Sequence, residues 1–263
     1  MKGDGEMTRL PTISTESGRY FLTDRIRDEV DFRTSAQSRG VHPPPPQKPA
    51  PPGNSIIRLP DRESWSIPHC DLQAAIADRK SRRRFTAGSL SLDELAFLLW
   101  ATQGVRAELH EAAVLRTVPS AGCRHPFETY LAVMRVDGLG PGIYRYLPLD
   151  HSLVVEREIL NLPAHLTAAA RGQSFTGQSA VVFIWTAIPA RTEWRYVEAS
   201  YKVIALDAGH LCQNLYLACQ AIGAGTCAIA AYNQALLDEL LGVNGDEEFS
   251  IYMAPVGKVA AVP

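Results

Sequence analysis

The stretch HPPPPQKPAPPG, residues 42 to 53, limits the architecture more than any other. Proline has no backbone N–H and holds φ in one narrow range, so this segment can be neither a regular helix nor a central strand. It reads as an extended polyproline arm or linker. A spacer is the plain role; a ligand for a proline-recognition module is the alternative. Residues 1–54 are therefore expected to form an extension, poorly ordered or wrapped on the body, with a short helix near Asp24 to Phe32. Residues 55–263 are expected to hold the folded domain.

Past the arm, Asp71 caps a short helix carrying Leu72, Ala75 and Ile76 and ending around Arg79. SLDELAFLLWATQG places Ser91 and Glu94 in capping-box spacing, sets Leu95, Leu98 and Leu99 on one face, and stops at Gly104. FETYLAVMRV, GIYRYLP and SLVVERE read as three strands, the first two joined by the glycine-rich DGLGPG, which predicts an antiparallel meander. A helix over Pro163 to Arg171 then precedes SAVVFIWTAI, a run apolar enough for a strand covered on both faces. The longest helical segment is expected from Trp194 to Ile222, with Gly223 as its stop. Asn233 caps a last helix, NQALLDELLG, and FSIYMAPVGKV is a closing strand. Helices first, grouped strands next and alternation last fit neither a repeat array nor a βαβ series, so the predicted class is α+β.

Several chemistries are excluded. A net charge of −2 over 263 residues argues against a general nucleic-acid binder. No apolar run is long enough for a membrane span, and MKGDGEMTRLPTIS lacks the apolar region of a secretory signal, so a cytoplasmic, non-membrane protein is expected. Five cysteines without a C-x-x-C suit reduced thiols better than a disulfide framework or structural zinc. No metal site is predicted: there is no H-E-x-x-H, and Asp207 with His210 reads as a helix-packing or hydrogen-bonding pair. GAGTCA, at Gly223 to Ala228, follows a helix and precedes a strand, the reverse of a dinucleotide fingerprint. Ser120 near His125 is not in a G-x-S-x-G setting, which excludes a serine hydrolase of that type.

What remains is DRKSRRRF, residues 78 to 85, which crowds Arg79, Lys80, Arg82, Arg83 and Arg84 around Ser81 before Phe85 returns the chain to the core. A solvated face, or cations offsetting a helix C-terminus, would explain it plainly. Arginine forks and an ammonium around a hydroxyl also suit a phosphate monoester of about −1.5 to −2 charge.

Taken in order, DRKSRRRF, LSLDELAFLLWATQGV, RTVPSAGCRHPFETYLAV, GIYRYLPLDHSLV and LDAGHLCQNLYLACQAIG resemble the FMN-dependent nitroreductase superfamily, specifically its SagB-type dehydrogenase branch, over residues 55–260. The resemblance implies a nitroreductase-like fold, with a central, mainly antiparallel sheet flanked by helices. It also implies an intertwined homodimer with one FMN at each of two shared sites. By that pattern Arg79, Lys80, Ser81 and Arg83 hold the ribityl phosphate and the pyrimidine side of the flavin, while Arg82 and Arg84 fall on varying positions. Pro119, Ser120, Ala121, Gly122 and Cys123 would line the flavin from the partner subunit, the amides of Ala230 and Ala231 would approach N5, and Lys258 is a further phosphate candidate. The branch includes azoline oxidases, in which a lysine–tyrosine pair acts in proton abstraction; here Arg195 and Tyr196 stand at that place. An arginine stays protonated and is a poor general base, which counts against azole synthesis. The function so implied is hydride or electron transfer from NAD(P)H through flavin to a small electron-poor acceptor. The alternatives are oxidation of a peptide-derived azoline, or a flavin- or partner-binding protein without turnover.

Overall fold

The computed structural model describes residues 14–110 and 113–260; the first thirteen residues of the expected extension lie outside them. Helices α1 (Thr15–Leu22) and α2 (Ile26–Glu29) precede the proline run, and β1 (Ile56–Arg58) and α3 (Leu72–Asp78) follow it. Helix α4 (Leu92–Gln103) leads into a hairpin of β2 (Val105–His110) and β3 (Ala113–Arg116). Strands β4 (Phe127–Val133), β5 (Gly142–Leu147) and β6 (Ser152–Arg157) come next, then α5 (Leu162–Ala169), α6 (Phe175–Gln178) and β7 (Val181–Ala187). The chain closes with α7 (Ala190–Tyr196), α8 (Ser200–Ala221), β8 (Ala224–Thr226), α9 (Gln234–Leu241) and β9 (Phe249–Lys258).

The main sheet runs β1-β6-β5-β4-β7-β9-β8, and every neighbouring pair is antiparallel. This is the α+β class expected from the sequence, a central antiparallel sheet flanked by helices, meander included. Side chains alternate across it with period two. Leu131, Val133, Val181, Phe183 and Trp185 point to the layer holding Leu95, Leu98 and Leu99 of α4 and Leu211 and Leu215 of α8. Tyr130, Ala132, Val182 and Ile184 point the other way, onto Leu162 and Leu166 of α5 and Leu237, Leu240 and Leu241 of α9. Each fully buried aliphatic side chain contributes about 1.5–3 kcal/mol, and a one-residue slip would exchange the two faces, so the paired layers fix the register.

Helix α4 begins as its spacing predicts: the Ser91 side chain accepts the Glu94 N–H, and Glu94 accepts the Ser91 N–H. Two expectations need correction. The helix expected to run unbroken from Trp194 is interrupted at Val197, whose φ of 50° no helix continues through. Helix α7 therefore starts earlier, at Ala190, and a 3-10 turn over Val197–Ala199 separates it from α8. The β2–β3 hairpin, between α4 and the meander, was not anticipated.

The proline segment lies against the body through donors that reach its carbonyls. Arg116 donates to the Pro46 carbonyl at 2.7 Å, and Arg145 to those of Lys48 and Pro49 at 2.8 and 2.9 Å. The Lys48 N–H donates to Glu128, and its ammonium pairs with Glu248 at 2.6 Å. Proline keeps its carbonyl while giving up its N–H, which suits a segment held mainly as an acceptor.

Candidate functional site

On leaving α3, the basic stretch runs along the outer edge of β8 and β9. The Arg82 N–H donates to the Thr226 carbonyl at 2.9 Å and the Thr86 N–H to that of Lys258 at 2.8 Å. Two glycines permit the close approach: a Cβ on Gly225 would fall 2.5 Å from Arg82 Cγ, and one on Gly257 would fall 2.9 Å from Phe85 Cγ. Arg82 thus packs on the sheet edge instead of standing free, while Arg84 is exposed.

Among the described residues, none of Arg79, Lys80, Arg82, Arg83 and Arg84 is ion-paired. Aromatic faces steady two of them, with Arg79 5.3 Å from the Tyr216 ring centroid and Arg83 6.0 Å from that of Phe175. The Tyr216 oxygen accepts the Ala228 N–H at 2.8 Å and lies 2.9 Å from Ser81 Oγ. Either hydroxyl of this pair can donate to the other, and Ser81 Oγ keeps hydrogen-bonding capacity for a group outside the chain. Lys258 is already engaged by Glu94 and by the Ile222 carbonyl, so it is not among the free cations. Ala230 and Ala231 are exposed, and among the described residues their N–H groups have no acceptor.

A second cluster gathers at Pro119–Cys123. Gly122 and Cys123 turn through positive φ values of 58° and 55°. The Ala121 N–H donates to Asp207 at 3.1 Å, and Ser120 Oγ accepts the His125 N–H at 2.9 Å. Burial raises the Asp207 carboxyl above its ordinary value, against the opposing pull of the Ser120 and Ala121 donors. Arg195 and Tyr196 close over the glycine: a Cβ on Gly122 would lie 2.8 Å from the Tyr196 oxygen and 2.9 Å from Arg195 Cδ. Arg124 stacks on Trp194, 4.8 Å from its ring centroid.

The predicted residues are thus brought together in two groups. One gathers Arg79, Ser81, Arg82 and the β8–β9 edge around Tyr216; the other gathers Pro119–Cys123, Arg195 and Tyr196 around Asp207. Both anchors lie on α8, nine positions apart, which is about 13 Å along the axis and about half a turn around it. Within one chain the groups face opposite sides of α8. An apolar recess of about 550 Å³ between α3, α4 and α8, lined by Leu72, Phe97, Trp100 and Leu217, contains none of the predicted residues. No group of three metal-ligating side chains occurs among the described residues.

Sequence reasoning passed over Tyr216, whose only signal was a polar-tipped ring on an otherwise apolar face of the QNLYLAC helix. Tyr216→Phe is expected to cost about 1 kcal/mol, because the half-buried Ala228 N–H loses its acceptor. Urea unfolding checks this, and a cost within about 0.5 kcal/mol would show that the bridge contributes nothing.

A model of the Nitroreductase family matches residues 76–258, which takes in both groups and the whole sheet except β1. The chain belongs to the nitroreductase family. It is 32% identical over 204 residues to the provisionally named nitroreductase MJ1384 of Methanocaldococcus jannaschii, covering 77% of this chain and 96% of that one. The trifolitoxin-processing protein TfxB of Rhizobium leguminosarum bv. trifolii is 30% identical over 130 residues, 48% of this chain and 35% of TfxB. Among solved structures, a nitroreductase-family protein of Ralstonia eutropha JMP134 superposes with a TM-score of 0.65 at 27% identity, covering 85% of this chain and 97% of that one. The Escherichia coli microcin synthetase McbBCD complex contains a chain of the same fold, with a TM-score of 0.59 at 16% identity, covering 95% of this chain and 99% of its own. As a nitroreductase-family member the protein is an oxidoreductase, and the binding protein without turnover is set aside. No helix among the described residues is long and apolar enough to cross a membrane.

Proposed function

We propose that this nitroreductase-family protein is a homodimeric FMN oxidoreductase that takes reducing equivalents from NAD(P)H and delivers them to a small electron-poor acceptor. The observation that carries the reading is the set of cations around the exposed Ser81 hydroxyl that make no ion pair among the described residues. That set fits a phosphate monoester: Arg79, Lys80 and Arg83 supply charge, and Ser81 supplies a neutral hydroxyl hydrogen-bonded to Tyr216. The exposed N–H groups of Ala230 and Ala231 are free to donate to a flavin ring. Bound flavin would supply the hydride chemistry itself.

The chain's own groups then bind, orient and shield. Asp207 keeps the Pro119–Cys123 turn in shape through Ser120 and Ala121. Tyr196 and Arg195 cover Gly122, with Arg195 as a fixed cation and Tyr196 as a hydroxyl that can donate a hydrogen bond. Because the two groups face opposite sides of α8, a small cofactor cannot reach both within one chain. This geometry supports a site completed by the turn of a second copy, and Tyr201 and Leu206, exposed on α8, supply apolar surface for such a contact. The free thiols of Cys70, Cys123, Cys212, Cys219 and Cys227 support a reducing compartment, and we place the enzyme in the cytoplasm.

Cofactor extracted from the purified protein should run as FMN on chromatography, and its absorbance should bleach with NADH or NADPH. FAD alone, or no flavin after reconstitution, would sink the reading. The holoprotein should sediment as a dimer, because half a site cannot hold flavin tightly.

A second reading, a SagB-type flavin dehydrogenase acting on an azoline in a peptide, has one observation in its favour: the similarity to TfxB, a protein named for processing trifolitoxin. Arg195, standing where a lysine would act as base, weighs against it. Turnover of a thiazoline peptide to the thiazole, with flavin reduction, would select this reading.

A further inference from the structure

The segment from Gln37 to Lys48 is tied to the site-bearing helix α7 directly at one end and through Glu128 at the other. The Gln37 N–H donates to the Trp194 carbonyl at 2.9 Å, and the Trp194 indole N–H returns a bond to the Val41 carbonyl at 2.8 Å. Further on, the Lys48 N–H and the Arg191 guanidinium share one oxygen of Glu128, at 2.9 and 2.5 Å. Arg191 also donates to the His125 carbonyl at 3.4 Å, at the exit of the Pro119–Cys123 turn.

Helix α7 needs such support. It has seven residues, no side-chain N-cap, and an end at Val197 with φ 50°, which a β-branched residue does not adopt unaided. A helix this short is unstable alone, so its position is set by what it packs against. The proline run supplies a stiff bridge between the two grips, since its prolines leave little backbone freedom to lose.

We propose that residues 37–48 are an intramolecular clamp that fixes α7, and so holds Arg195 and Tyr196 against Gly122. Trp194, Arg191 and Lys48 are then positioning residues. The functional part of the proposal rests on the reading of Arg195 and Tyr196 as site residues; the mechanical part does not. The arm is accordingly neither a passive spacer nor a free ligand for another module, because its carbonyls and its lysine are already committed.

The test compares Trp194→Phe, which keeps a ring for Arg124 but deletes the N–H to Val41, with Lys48→Met, which deletes the ammonium held by Glu248. Amide exchange followed by mass spectrometry on the full-length holoprotein should speed up over residues 190–196, by about threefold to tenfold for one lost hydrogen bond. Exchange in β7 should stay at the wild-type rate, and Lys48→Arg should recover protection. Wild-type exchange over 190–196 in both variants, or equal acceleration in β7, overturns the clamp. NAD(P)H-driven turnover is the separate functional readout: kcat should fall while FMN affinity holds. Faster exchange with kcat unchanged would leave the clamp standing and remove Arg195 and Tyr196 from the reacting site.

Discussion

Replacing Glu128 by alanine is expected to remove about 3–5 kcal/mol of stability, the characteristic cost of deleting one partner of a buried ion pair. Glu128 is 2% exposed and is the shared acceptor of Arg145, itself 0% exposed, and of Arg191 at 3%. Its loss leaves two guanidiniums competing for what remains. Arg145 retains Glu156 and the carbonyls of Lys48 and Pro49, whereas Arg191 retains only the long bond to His125. The Lys48 N–H is also released, so the arm loosens with the core. Native stabilities are only about 5–15 kcal/mol, so the urea midpoint should fall by a large fraction of its value. Asp24→Ala is the control, because the pairs of Asp24 with Arg27 and Lys202 are surface contacts and should be worth well under 1 kcal/mol. A Glu128→Ala midpoint near that of the control would show that the buried network is not what holds the arm and α7 to the sheet.

What could be read from the sequence follows from how locally each feature is encoded. The Ser91 and Glu94 spacing specifies a helix start within four residues, FETYLAV declares a strand, and VVFIWTA is apolar enough to declare one covered on both faces. The VRAELHEAAVLR stretch is different. It is rich in helix formers and lacks turn residues, yet it supplies both strands of the β2–β3 hairpin, where burial of Val114 and Arg116 overrides propensity. The break at Val197 has no local signature at all, since YVEASY is compatible with a continuing helix. Pairings across long separations were equally hidden. Nothing near Lys258 announces Glu94, 164 positions away, and nothing in GIYRYL announces that Arg145 is fully buried with its donors on the proline run. The reading of the run as a spacer did not see that a segment poor in N–H groups offers its carbonyls to buried arginines. The candidate site was legible in its motifs, and Asp207 in its hydrogen-bonding role, but Tyr216 and the turn that Asp207 holds were not.

Arg79→Ala and Ser81→Ala are each expected to weaken FMN binding by roughly 10- to 150-fold, the equivalent of about 1.5–3 kcal/mol for one charge-assisted hydrogen bond. If the cluster were only a solvated face, both changes would be nearly silent, since surface substitutions usually lie within about ±0.5 kcal/mol. The structure sharpens the choice of control. Arg82 sits on a position that varies in the resemblance, yet its N–H pairs with Thr226 and its side chain packs over Gly225, so truncating it disturbs the sheet edge as well. Arg84 is exposed and makes no ion pair among the described residues, and Arg84→Ala should change affinity by less than threefold. Tyr216→Phe should fall between them, because Ser81 keeps its hydroxyl but loses its hydrogen-bond partner. Flavin fluorescence titrations at fixed salt measure all four variants, and a second series at high salt separates the arginine from the serine. Screening should shrink the Arg79→Ala loss and leave the Ser81→Ala loss largely intact, because only the first removes a net charge. Equal affinities across wild type and the four variants would return the basic stretch to an ordinary charged surface and leave the phosphate to be held elsewhere.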